Sequence, residues 1–257
     1  MNYKIYTLAS KIINTDLINS QKKVMNHLGI DIEYITNFSY PSIYNELLNN
    51  SDSDVIGFID SDFIPFSKEG VIRDINYAFK NNTFIGVAHP VPGAGYNCER
   101  VNIEPINLDG NNKNFRMHQN VSTPYFFINK MCYEKLGRPT FCCTDKSDTG
   151  GEITYEAHNL GITYRLYYPT CFERISETDL YGKVLRRLGN YGFYGVGMVY
   201  PNVGYHLLES RFGKNVELFA NRCNDIINNT FSTDGFYDCQ DVDICEKLGL
   251  TEKQINY

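Results

Sequence analysis

Two aspartates one residue apart, Asp60 and Asp62 in the run FIDSDF (Phe58 to Phe63), are the side chains of this sequence best suited to chemistry. The apolar run Val55 to Ile59 delivers them to a strand end, where one or both can hold a hard divalent cation that takes its remaining ligands from phosphate oxygens and water. A cation held there would neutralise the negative charge on a departing phosphate as a glycosyl bond breaks. An Asp-x-Asp alone is also what two exposed turn acids look like, and the apolar strand in front of it is what favours the cation. Asp52 and Asp54, before that strand, read as solvated turn residues.

A second acidic cluster comprises Asp145, Asp148, Glu152 and Glu156. Asp148 precedes the glycine pair Gly150-Gly151, where backbone can approach a substrate, and is the first candidate for a base that activates or binds an acceptor hydroxyl. Glu152 is the second, although with Thr149 it also has the spacing of a capping box at a helix start. His206, in GYHLLESR, offers an imidazole that can complete a metal site with the aspartates, or can simply pack beside its two leucines. Arg211 offers directed donors to a diphosphate. Tyr191, Tyr194 and Tyr205 either line a sugar or base pocket or pack internally.

The elements that must position these groups follow from the apolar periodicity. Tyr3 to Leu8 reads as an opening strand, Asp16 to His27 as a helix with Leu17, Val24 and Leu28 on one side, and Ile30 to Thr36 as a second strand. A helix containing Ile43, Leu47 and Leu48 then leads to Val55 to Ile59. This βαβαβ rhythm predicts an α/β fold with a mostly parallel central sheet, helices on both faces, and ligand sites beyond the carboxyl ends of the strands. A helix over Lys68 to Lys80 and a strand over Thr83 to Ala88 complete a nucleotide-binding half over residues 1–90.

Residues 91–212 read as an acceptor-side half of the same catalytic domain. It opens on Pro-, Gly- and Asn-rich loops from Pro90 to Gln119 and continues with a strand over Thr123 to Asn129, a helix over Lys130 to Leu136, a helix running towards Asn159 and a strand over Ile162 to Tyr168. The stretch NYGFYGVGMVYPNVGYH has no clean period and reads as a packed loop or active-site border. Residues 213–257 are expected to be a helical extension packed on the domain, with helices over Val216 to Ile227 and near Val242 to Leu248.

Composition bounds the function. With 257 residues, 42% of them hydrophobic, the chain can bury a sizeable core without staples. A net charge of −6 argues against an extensive nucleic-acid-binding surface. No apolar run approaches the roughly 18 residues of a membrane span, and no secretory signal opens the chain, so a cytoplasmic location is expected. The eight cysteines are dispersed without zinc-knuckle spacing and read as reduced thiols. TLASKI follows the opening strand where a dinucleotide oxidoreductase would place G-x-G-x-x-G, which disfavours hydride transfer.

The order of a Tyr-rich opening strand, FIDSDF, DTGGEITYEAHNLGI and a late GYHLLESR resembles metal-dependent, nucleotide-sugar glycosyltransferases of the GT-A fold, over residues 3 to 212. The resemblance implies a GT-A-like nucleotide-binding fold, a nucleoside diphosphate sugar as donor, with uridine as the nucleoside, and Mn2+ or Mg2+ as the metal. The family's Asp-x-Asp falls on Asp60-Ser61-Asp62, its acidic acceptor-side helix start on Asp148 to Glu152, and its late metal-binding His on His206. Thr7, Ala9 and Ser10 would lie near the donor nucleotide, with Asp31 or Glu33 as a further contact beyond the second strand. Two glycines separate Asp148 and Thr149 from Glu152 where other members place adjacent acidic residues, which leaves the base open between Asp148 and Glu152. The acceptor is a glycan, a protein or a modified nucleobase. Two other functions fit the same residues: a metal-dependent phosphoester or nucleotide-sugar hydrolase using Asp60, Asp62 and His206, and a non-catalytic nucleotide- or carbohydrate-binding protein.

Overall fold

The apolar runs of the first half form strands and the amphipathic segments between them form helices. The computed structural model describes residues 1–9, 13–36, 38, 42–88, 121–142, 144, 149–167, 169–173, 197–207 and 213–238. β1 (Tyr3–Leu8), β2 (Glu33–Ile35) and β3 (Val55–Ile59) are joined by α1 (Thr15–Leu28) and α2 (Ile43–Asn50). The Asn14 side chain caps α1 by accepting from the Asp16 amide, and Gly29 ends it in the left-handed conformation at φ 66°. β2 is shorter than the predicted Ile30 to Thr36, because the Ile30 amide bonds back to the Met25 carbonyl at 2.9 Å and belongs to the end of the helix.

β4 (Phe63–Pro65) follows β3 directly, and α3 (Lys68–Lys80) spans the predicted residues. Ser67 caps α3 through the Gly70 amide at 3.0 Å. β5 (Phe84–Ala88), β6 (Val121–Asn129), α4 (Lys130–Lys135), α5 (Gly151–Asn159) and β7 (Arg165–Tyr167) then complete a six-stranded sheet of order β2-β1-β3-β6-β5-β7. β1 pairs in parallel with β2 and β3, and β5 in parallel with β7, whereas β6 runs against both β3 and β5. The result is an α/β fold with a largely parallel central sheet flanked by helices on both faces.

The two faces are held by different chemistry. On one, Tyr44 of α2 sits edge-on to Phe58 with centroids 5.0 Å apart, and Phe141 stacks on both Phe58 and Phe126. On the other, α3 carries the fully buried Asp74, whose carboxylate accepts from the Tyr125 and Tyr167 hydroxyls, each at 2.7 Å, and from Arg73 Nε at 2.9 Å. Gly57 leaves room for the Phe127 ring on this face, since a Cβ there would stand 2.4 Å from it.

β4 leaves the central sheet and joins a second, antiparallel one of order β11-β8-β9-β10-β4, formed with β8 (Cys171–Phe172), β9 (Gly197–Tyr200), β10 (Gly204–Leu207) and β11 (Tyr237–Asp238). The Gly- and Tyr-rich stretch that reads as a loop is thus, over its described part, a hairpin. Asn202 at φ 57° makes its turn, and the Val203 amide bonds to the Tyr200 carbonyl at 3.0 Å. Strands of four residues are too short for a period to stand out. Tyr205 lies inside the second core, with Leu17 and Val24 of α1, Ile64, and Phe219 and Cys223 of α6 (Gly213–Ile227). The loops expected over Pro90 to Gln119 and the helix expected near Val242 to Leu248 fall outside the described residues. Among the described residues no helix is long and apolar enough to cross a membrane.

Candidate functional site

Chain order and strand order together create a crevice. β1 leads through α1 to β2 on one side of it, and β3 leads through β4 and α3 to β5 on the other, so the connections diverge at the carboxyl ends of β1 and β3. Ligands of open α/β sheets bind at such a switch point, where two diverging connections leave the strand ends uncovered. Thr7 at the end of β1 and Asp60-Ser61-Asp62 after β3 lie there, and the buried Thr7 hydroxyl ties the two strands by donating to the Ile59 carbonyl at 2.7 Å.

The acidic turn is fixed on every side. The Phe63 amide donates to the Asp60 carbonyl at 3.0 Å and closes the turn; the Asp60 amide donates to the Pro124 carbonyl of β6 at 3.1 Å. The Leu207 amide of β10 donates to the Asp62 carbonyl at 3.0 Å. Gln21 of α1 donates from Nε2 to the carbonyls of Asp60 and Phe63, at 2.6 and 2.8 Å.

The two carboxylates differ in surroundings. Asp60 is partly buried, and its Oδ2 accepts from the Thr123 hydroxyl at 2.7 Å while the Tyr44 hydroxyl lies 3.5 Å from Oδ1. Burial, and then the negative charge of Asp62, push the Asp60 carboxyl up to about 6, against the opposing pull of the Thr123 hydrogen bond and of His206. Asp62 retains 22% of its side-chain exposure and faces His206, with Oδ1 3.5 Å from Nε2. Antiparallel pairing of β10 with β4 sets His206 opposite Phe63, which brings a residue 144 positions away beside Asp62. His206 is buried, and its Nδ1 has no hydrogen-bond partner among the described residues.

These donors suit a divalent cation in kind. Two carboxylates one residue apart, with Asp60 raised in part by the charge of Asp62 and an imidazole alongside, are a set whose repulsion a cation relieves. They do not form a closed cage: among the described residues no group of three or more His, Cys, Asp or Glu is arranged to hold a metal. Asp60 is already engaged by Thr123, so Asp62 and His206 would be the principal protein ligands, and substrate phosphate and water would supply the rest. Bound there, the metal would supply Lewis-acid stabilisation of phosphate charge.

The remaining predicted residues are distributed unevenly. Ala9 is buried and extends the pairing of β1, its amide donating to the Ile35 carbonyl at 2.8 Å, and Ser61 is buried within the turn. Asp31 and Glu33 are exposed at the amino end of β2, away from the crevice at the carboxyl ends. Glu152 lies in the first turn of α5 and accepts from the Thr144 hydroxyl at 3.2 Å. The residue at the cap position of the helix is Gly150, at φ 84°, one place after the predicted Thr149. A Cβ on Gly150 would lie 2.1 Å from the Val121 carbonyl oxygen, and this close approach to β6 places the cap at a glycine rather than at Thr149. Because β6 runs against its neighbours, Val121 is at the same end of the sheet as Asp60, and so is the first turn of α5. Ser10, Asp148 and Arg211 lie outside the described residues.

Gln21, Thr123 and Tyr44 were not among the predicted residues. Gln21 had a signal, since it is a polar residue on the apolar helical face of Leu17, Val24 and Leu28. Thr123 and Tyr44 had none, because contact with Asp60 depends on how β6 and α2 pack. A separate cleft of about 900 Å³, lined by Phe66, Arg73, Asn202 and Phe231 among others, includes none of the candidate residues. No family model matches the chain, and no curated protein is similar enough to count as a relative.

Proposed function

We propose that this chain is a metal-dependent glycosyltransferase of the GT-A type, which transfers a sugar from a nucleoside diphosphate sugar, with uridine as the expected nucleoside, to an acceptor hydroxyl. The observation that carries the proposal is the acidic turn at the switch point between β1 and β3, with Asp62 3.5 Å from His206. Mn2+ or Mg2+ would be held by Asp62 and His206, with Asp60 alongside. The sheet order, with one reversed strand bringing Thr123 and the first turn of α5 to the end that carries Asp60, supports a donor side and an acceptor side facing one cleft.

In this scheme the bond from the sugar's anomeric carbon to the phosphate oxygen breaks and the nucleoside diphosphate departs with the electron pair. The acceptor oxygen bonds to that carbon and gives up its proton. On an inverting course Glu152 or Asp148 takes the proton, and Thr144 orients the Glu152 carboxylate. Thr7 and the buried turn fix the donor side, and Arg211 would meet the diphosphate. The acceptor is a glycan, a protein or a modified nucleobase. The setting that goes with this reading is cytoplasmic.

The test is release of nucleoside diphosphate from a panel of sugar donors with Mn2+ or Mg2+, with and without glycan, protein and modified-base acceptors. Metal-dependent release accelerated by an acceptor, and lost in Asp62→Asn and His206→Ala, is expected. Release that no acceptor accelerates would make the protein a hydrolase. Donor binding without any release would make it a binding protein.

A further inference from the structure

Gln21 sits where an apolar side chain would be expected. It is fully buried on the face of α1 that otherwise presents Leu17, Val24 and Met25 to the interior. A buried amide costs stability unless all its polar atoms are paired, and here only half of it is. Nε2 donates to two carbonyls, while Oε1 has no partner among the described residues. A leucine or methionine would fill this position on an amphipathic helix without leaving an orphaned oxygen.

The two acceptors are the first and last residues of the acidic turn. The Asp60 carbonyl already accepts from the Phe63 amide, so it does not need Gln21 for its own satisfaction. What the glutamine adds is a bridge between the two ends of the turn, anchored in α1, which is itself packed against α6 and β4. The side chains of Asp60 and Asp62 project from that bridged turn. A sequence that retains a locally unfavourable residue at such a point is trading stability for geometry, as occurs at functional sites.

We infer that Gln21 is a positioning residue for the cation-binding turn, acting through the backbone of Asp60 and Phe63 and touching neither metal nor substrate. The inference rests on the glycosyltransferase reading only in that Asp62 and His206 hold a divalent cation. Residues that orient metal ligands without contacting the metal typically change its affinity by about 10- to 100-fold when substituted.

The experiment uses the full chain and Mn2+ alone, with affinity and the spectrum of the bound ion followed by electron paramagnetic resonance, and folding checked by circular dichroism and thermal melting. Gln21→Met, which removes both donors and keeps the length, is expected to weaken Mn2+ by about 10- to 100-fold and to alter the bound spectrum. Gln21→Asn keeps the amide but is too short to span both carbonyls; it is expected to weaken Mn2+ in the same direction, and it carries the test if Gln21→Met does not fold. Val24→Ala, on the same helix and fully buried but with no hydrogen bond to the turn to lose, should lower the melting temperature and leave Mn2+ affinity within about twofold. Wild-type Mn2+ affinity and spectrum in a folded Gln21 variant overturn the inference, and so does an equal loss in Val24→Ala. If the wild type binds no Mn2+, or binds it equally after Asp62→Asn, the metal reading itself fails. If Asp62→Asn abolishes binding and the Gln21 variants bind normally, the positioning role alone fails.

Discussion

Replacing Asp60 by asparagine should stabilise the metal-free protein, because this carboxylate is held where its charge is unfavourable. Its carboxyl is raised from 3.8 to about 6, first by burial and then by Asp62. A carboxyl raised in the folded state favours folding while it is protonated. Between about pH 4 and pH 6 the unfolded chain has lost this proton and the folded chain still binds it, so stability falls as pH rises through that window. Above about pH 6 both states are charged and the full cost remains. A difference of about two pH units corresponds to at most roughly 3 kcal/mol. Asparagine keeps the shape, offers an oxygen to the Thr123 hydroxyl, and places no charge beside Asp62. In urea unfolding with chelator present, Asp60→Asn should exceed the wild type by about 1–3 kcal/mol at pH 7.5, with the difference closing towards pH 4. Added Mn2+ should raise the midpoint of the wild type more than that of the variant. Equal or lower stability of the variant at pH 7.5, or a difference that does not vary with pH, would refute the reasoning, since either would mean that the folded protein solvates this charge as well as water does.

Two further substitutions probe the scaffold that carries the turn. Asp74→Ala should cost about 2–5 kcal/mol in urea unfolding, because it leaves the buried Tyr125 and Tyr167 hydroxyls without their acceptor, whereas Arg73, 44% exposed, can turn to water; a loss below about 1 kcal/mol would show that the buried network is dispensable. Gly150→Ala should cost about 2 kcal/mol or more in thermal unfolding, since it combines a left-handed φ of 84° with a Cβ placed 2.1 Å from the Val121 carbonyl oxygen, and wild-type stability would mean that the start of α5 can move away from β6.

The sequence alone determined the local elements and the place of the acidic turn. Apolar runs of five or six residues followed by amphipathic segments are sufficient to specify β1, α1, β3 and α3, because burial of one face is decided by spacing along the chain. The same spacing puts Asp60 and Asp62 immediately after β3. Helix ends were less legible: β2 begins late because Ile30 completes the end of α1, and α5 is capped at Gly150 because of its contact with β6.

Only the tertiary structure decided what stands next to that turn. The reversed direction of β6 brings Thr123 to Asp60, and the pairing of β10 with β4 brings His206 to Asp62. Both contacts join residues far apart in sequence through backbone ladders, which any strand of suitable hydrophobicity can form, so no local pattern specifies the partner. The sense of Gln21 was hidden in the same way. Its position on an apolar helical face was visible in the sequence, but the two carbonyls it bridges come together only when α1 packs across the end of β3.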